Sequence, residues 1–247
     1  LLVSVRDASE AEAVLRGGAD IVDAKEPARG ALGTPSPEAV AAIVRTVGAA
    51  APVSVALGDP ASPAEVAALV AAVPPVAFVK LGFAGAGSFA DAAALVEAAI
   101  AAAGRHRARP RVIAAAYADA PDGSPAAPGP VLEAALRSGA AGILVDTSDK
   151  RGSALPALAE HVALGALVRR ARAGGLLTAL AGRLTIGDLG FAARTGAEVI
   201  GVRGAACDGG REGRVSAERV AALRRAAREE LVDQRRQPAG LAGAERG

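Results

Sequence analysis

Three residues carry nearly all the amine chemistry available to this chain. Of its 28 basic residues 25 are Arg, and only Lys25, Lys80 and Lys150 are Lys. A bias towards Arg explains why lysines are few. It does not explain where the remaining ones lie. A surface cation tolerates Arg, whereas a Schiff-base or proton-transfer amine does not, because a guanidinium stays protonated near neutral pH. Two carboxylates sit close in sequence to these amines. Asp23 is two residues before Lys25, so on a strand both side chains share a face. Asp146 is four residues before Lys150. Carboxylates beside ammonium groups keep both charged, while a cluster of cations lowers the pKa of the least solvated amine. The bland reading of each Asp is a buried ion pair that holds a lysine in place.

The elements that must position these groups recur along the chain. Eight short β-rich runs are LLVSV (1–5), IVDAK (21–25), VSVALG (53–58), VAFVKLG (76–82), RVIAAAYA (111–118), GILVDT (142–147), LLTALAG (176–182) and VIGVRG (199–204). Ala/Leu/Val segments with helical periodicity separate them, several opening on Ser or Pro and closing on Gly. A further such segment, SAERVAALRRAAREELV, follows the eighth run. Eight strand–helix units in about 230 residues predict a single-domain α/β fold, the (β/α)8 TIM barrel. A doubly wound open sheet is the runner-up, but LLVSVRDASE lacks the glycine-rich turn that usually follows its first strand. Residues 1–231 are assigned to the barrel and residues 232–247 to a flexible tail. The Pro/Gly stretch at 120–130 falls in the loop after strand five.

In such a barrel the chemistry sits at the C-terminal ends of the strands. Lys25 ends the second strand, Lys80 lies near the end of the fourth, and Lys150 lies just past the sixth. All three lysines therefore map to one mouth, with Asp23 and Asp146 beside them. Loops after strands seven and eight of these barrels often hold phosphate on backbone N–H groups. Here Gly182, Arg183, Arg203, Gly204 and Ala205 occupy those loops. The glycines permit close approach and the arginines add charge; ordinary turn glycines are the competing explanation.

Composition narrows the function classes. Aromatic residues make up 2% of the chain, too few for base-stacking platforms, and the net charge is +2, which is no nucleic-acid footprint. Ala supplies 66 of the 247 residues, so Ala, Val, Leu and Ile must build the core. The only cysteine, Cys207, cannot form an internal disulfide, and a reducing cytoplasm is the simplest setting. His106, His161 and Cys207 lack metal-ligand spacing, and no metal is expected. Cys207 is expected to be a small buried residue, His106 to face solvent in a charged loop, and His161 to lie on a helix. No apolar run is long enough to span a membrane. Barrels pair through their outer helices often enough to admit a homo-oligomer, though no patch singles itself out.

The segments GGADIVDAKEPARGALG, VSVALGD, FVKLGFAG, AAAYADA, LVDTSDK, ALAGRL and VIGVRGAACDGGREGRV, in this order, resemble the (5-formylfuran-3-yl)methyl phosphate synthase family, also called 4-(hydroxymethyl)-2-furancarboxaldehyde-phosphate synthases. The resemblance implies a (β/α)8 enzyme of methanofuran biosynthesis. Such an enzyme condenses two molecules of glyceraldehyde 3-phosphate into a furan aldehyde phosphate and releases one phosphate and two waters, without an organic cofactor. It places the Schiff-base lysine at Lys25 in DAKEP and the proton-transfer lysine at Lys80 in VKLG, with Asp23, Asp146 and Lys150 as further polar site residues. Two other readings use the same residues: a different lysine-dependent aldolase or isomerase acting on a phosphosugar, and a barrel that binds a phosphorylated metabolite without catalysis.

Overall fold

The structure, a computed structural model, describes residues 1–236. Eight parallel strands close into a barrel in the order β1 to β8. In chain order the elements are β1 (Leu2–Val5), α1 (Ala8–Gly17), β2 (Ile21–Ala24), α2 (Pro37–Val47), β3 (Val53–Ala56), α3 (Pro63–Ala72), β4 (Phe78–Leu81), α4 (Phe89–Arg105), β5 (Arg111–Tyr117), α5 (Pro128–Ser138) and β6 (Gly142–Asp146). They continue with α6 (Leu155–Leu158), α7 (His161–Ala173), β7 (Leu177–Leu180), α8 (Leu189–Arg194), β8 (Val199–Val202), β9 (Cys207–Asp208), β10 (Arg214–Val215) and α9 (Ala217–Arg236). Each of the eight expected runs contains one barrel strand.

Local chemistry sets the element ends. Asp7, Ser36, Ser62 and Ser88 cap α1 to α4, each side chain accepting from a backbone N–H in the first turn. At the other end, α1 and α5 stop at Gly18 and Gly139, both in the left-handed region at φ 77° and 75°. The strands read as continuous apolar runs because a parallel barrel is covered on both sides. Val3, Val5, Val22, Val53, Val55, Val79 and Leu81 are all buried. Alternate residues such as Ser4, Asp23, Ser54 and Lys80 line a central cavity instead.

Closure depends on β1 meeting β8, with Leu2 opposite Gly201 and Val3 opposite Val202. Helix α9 packs on α1 and α8 across this seam. It runs to Arg236, so residues 232–236, expected in the tail, are helical. The rest of the expected tail, residues 237–247, lies outside the described residues.

Three local features depart from the sequence reading. The long segment between β6 and β7 splits into α6 and α7, because Ala159 and Glu160 are extended. The loop after β8 contains a small antiparallel hairpin, β9 with β10. His106, expected in solvent, is half-buried: its Nε2 donates to the Val73 carbonyl at 3.1 Å, which ties the end of α4 to the end of α3. Cys207 is buried, and His161 is exposed at the start of α7. Among the described residues no helix is long and apolar enough to cross a membrane.

Candidate active site

The five residues singled out at the strand ends meet in one cavity of about 310 Å³. Lys25, Lys80, Asp23 and Asp146 are buried there, from β2, β4 and β6. Lys150 reaches in from the loop after β6. Its Nζ donates to Asp146 Oδ1 at 2.5 Å and to Thr147 Oγ1 at 3.2 Å. Lys25 Nζ lies 3.8 Å from Asp146 Oδ2 and makes no hydrogen bond among the described residues. Asp146 thus stands between two amines and is bonded to only one.

The sequence paired Asp23 with its neighbour Lys25. In the fold its charge partner is Lys80, whose Nζ lies 2.6 Å from Asp23 Oδ1, a close charge contact rather than an aligned hydrogen bond. The other Asp23 oxygen accepts from Ser4 Oγ at 2.8 Å. The inward positions of the intervening strand β3 are Ser54 and, by alternation, Ala56. Both are small, so a long side chain on β4 can cross β3 to reach β2.

Burial pushes the Lys25 amine down, Asp146 opposes, and the cations Lys150 and Lys80 push it further, so its pKa falls to about 7. Burial also works to raise Asp146, but Lys150 and Lys25 overcome it and its carboxyl stays below the usual range. At neutral pH, then, a substantial share of Lys25 is an unbonded neutral amine facing an ionised carboxylate. That is the state a nucleophilic lysine requires.

The wall contributed by β7 and β8 is different. Ala179, Ala181 and Gly201 line it and leave room opposite the charged groups. Above them, Gly182 and Arg183 are successive left-handed residues at φ 105° and 58°. Their N–H groups, and that of Leu184, have no hydrogen-bond partner among the described residues. Gly204 and Ala205 open a 3-10 turn, whose first N–H groups have no partner within it. Both loops line the same cavity.

Arg203 does not add free charge here as the sequence suggested. All five of its donors are engaged: Nη1 with the Ser4 carbonyl and Glu10 Oε2, Nη2 with Glu10 Oε1 and the Gly213 carbonyl, and Nε with the Arg211 carbonyl. Arg183 is exposed at the rim of the cavity. The sequence reading missed Arg211, which lines the cavity while Nη2 donates to the carbonyls of Pro27 and Gly30. It also missed Asp119, whose carboxylate accepts from the N–H groups of Ser148 and Asp149, each at 2.7 Å, and so fixes the turn that carries Lys150.

Comparison with known proteins identifies the family. A family model described as 4-HFC-P synthase matches residues 1–224. The chain belongs to the 4-HFC-P synthase family. Among the relatives, the (5-formylfuran-3-yl)methyl phosphate synthase of Methanopyrus kandleri is 35% identical over 213 residues, covering 85% of this chain and 90% of that one. The enzyme of the same name from Methanothermobacter thermautotrophicus is 34% identical over 237 residues, covering 94% and 98%. Solved structures share the fold at lower identity. One is the 3-hexulose-6-phosphate synthase of Salmonella typhimurium, with a TM-score of 0.63 at 16% identity, covering 93% of this chain and 98% of that one. The lysine cluster itself lies at the C-terminal mouth, where TIM-barrel enzymes carry their chemistry.

Proposed function

We propose that this protein is a furan phosphate synthase that joins two molecules of glyceraldehyde 3-phosphate through an imine on Lys25, in a methanofuran-type biosynthesis. The observation that carries the reading is the Lys25 amine: buried, without a hydrogen bond, and with a pKa near 7 beside an ionised Asp146. The names of the Methanopyrus and Methanothermobacter relatives support the product class.

In this reading Lys25 Nζ adds to the aldehyde of the first triose phosphate and water leaves, giving an iminium that serves as electron sink. The Lys80–Asp23 pair takes the proton from the adjacent carbon, which gives an enamine. The enamine carbon attacks the aldehyde of the second triose phosphate. Ring closure and elimination return the amine. Overall, two trioses give one furan aldehyde phosphate, one phosphate and two waters. Asp146 and Lys150, already hydrogen-bonded, pass protons in the dehydrations. The loops at Gly182–Leu184 and Gly204–Ala205 hold a substrate phosphate, with Arg211 and Arg183 supplying charge. The imine is the electron sink, so the scheme calls on no metal or organic cofactor, and its small soluble substrates suit a cytoplasmic setting.

The test uses glyceraldehyde 3-phosphate alone, with furan absorbance and free phosphate as readouts and borohydride to trap adducts. Wild type should make furan and phosphate in equal amounts and carry a trapped adduct on the peptide holding Lys25. Lys25→Arg should be as inactive as Lys25→Ala, since charge is kept and nucleophilicity lost. Lys80→Ala should still trap the triose but lose about 10²–10⁴-fold in furan formation. An active Lys25→Arg variant would exclude covalent catalysis, and an adduct without furan would favour another aldolase-type barrel.

A further inference from the structure

One inward-facing group in the cavity has no part in the ion pairs. Ser54, at the second position of β3, is 1% exposed, and its Oγ has no hydrogen-bond partner among the described residues. Its strand register places it opposite Asp23 on one side and Phe78 on the other. Ser4, the register partner of Asp23 on the opposite strand, spends its hydroxyl on Asp23 Oδ2. Two serines therefore flank one carboxylate, and only Ser4 is satisfied by the protein.

A buried hydroxyl without a partner opposes folding. An alanine would avoid that cost, and this chain uses alanine freely on the far wall of the same cavity, at Ala179 and Ala181. A serine at position 54 is therefore accounted for by a partner that is not protein. The surroundings restrict what that partner is. Near Ser54 the apolar lining is Ile21, Phe78 and Ile113, and the charged groups beside it, Asp23 and Lys80, are already paired with each other at 2.6 Å. The phosphate-holding loops lie on β7 and β8, away from β3. A neutral hydroxyl on a carbon chain held by those loops suits this position, beside the Lys80–Asp23 pair.

We propose that Ser54 hydrogen-bonds the hydroxyl on the middle carbon of a three-carbon phosphate ester and selects substrates that carry it. The proposal deepens the triose-phosphate reading above and rests on it for the identity of the ligand. A site built around a substrate hydroxyl rejects the analogue lacking it strongly, because its own polar group is then left unpaired.

Two unreactive ligands isolate the effect: glycerol 3-phosphate, and 3-hydroxypropyl phosphate, which lacks the middle hydroxyl. Titration calorimetry should give wild type a preference of about tenfold or more for glycerol 3-phosphate. Ser54→Ala should weaken that ligand by a similar factor, leave the deoxy ligand within about twofold, and keep or raise the melting temperature. A wild type without preference, or one that binds neither ligand, overturns the proposal. So does a Ser54→Ala variant that keeps the preference or weakens both ligands alike. Neither ligand has a carbonyl, so a failure to trap glyceraldehyde 3-phosphate on Lys25 would remove the imine and leave the Ser54 result standing.

Discussion

Lys25 is set apart from the other two amines by what it does not touch. Lys80 has Asp23 at 2.6 Å and Lys150 has Asp146 at 2.5 Å, while Lys25 is 3.8 Å from its nearest carboxylate oxygen. Burial and two neighbouring cations then bring its pKa down from 10.5 to about 7. Imine formation needs the neutral amine, so the trapping rate should rise with pH up to about 7 and level off above it. Lys150→Met should move that midpoint upward, because a cation is removed and Asp146 is left to pair with Lys25 alone. A rate that keeps climbing towards pH 10 would show an ordinary exposed lysine. The same shift bears on stability. Between about pH 7 and 10.5 the unfolded chain binds the proton that folded Lys25 has lost, so this group makes stability rise with pH across that window. The five charged residues were legible from residue type and strand position. Their pairing was not, because Lys80 reaches Asp23 across the small side chains of β3.

At the scale of elements, the strand and helix plan could be read because periodicity, serine caps and glycine stops agree along most of the chain. The hairpin β9–β10 could not, since two-residue strands among glycines carry no alternation. Arg203 was misread for a related reason: its partner Glu10 lies 193 residues away in sequence, and only barrel closure brings them together. That buried pair fastens the end of β8 and the hairpin to β1 and α1. Burial works against the Glu10 carboxylate, yet Arg203 and the Arg6 backbone hold its pKa below the usual value. Arg203→Met should lower stability by about 3–5 kcal/mol, because Glu10 loses its principal partner, and should raise KM by loosening Arg211 and Gly204. The double variant Arg203→Met with Glu10→Met should recover much of that stability and part of KM, since no fully buried charge is left stranded and Arg6, the other partner of Glu10, is part-exposed and keeps the Gly213 carbonyl. Thermal melts and steady-state kinetics on the three proteins decide the matter. A KM that stays high in a double variant with restored stability would mean that Arg203 touches substrate itself.

For the molecule as a whole, the barrel is a ring with one seam, and the seam and the amines lie on different parts of the ring. The amines come from just past β2, from β4 and from the loop after β6, whereas β1 and β8 make the closing pair with two register positions. Helix α9 covers that closure from outside, and its Val220 and Leu223 are buried. The contact depends on Gly17 at the end of α1. A Cβ there would lie 2.5 Å from Val220 Cβ and 2.7 Å from the Ala217 carbonyl oxygen, and neither atom is the end of a flexible side chain. Gly17→Val should therefore force α9 outward. Overpacking of this kind costs about 1–3 kcal/mol, and each kcal/mol lowers the melting temperature of a domain of this size by about 2–4 °C. The melting temperature should fall accordingly, while kcat at a temperature well below the melt stays within about twofold of wild type, because among the described residues α9 carries none of the site's charged groups and meets the site only at the Gly204–Ala206 turn, which bears on KM. A fall in kcat much larger than this, in a protein still folded by circular dichroism, would show strain passing along β1 through Ser4 to Asp23, and would make the seam part of the catalytic apparatus.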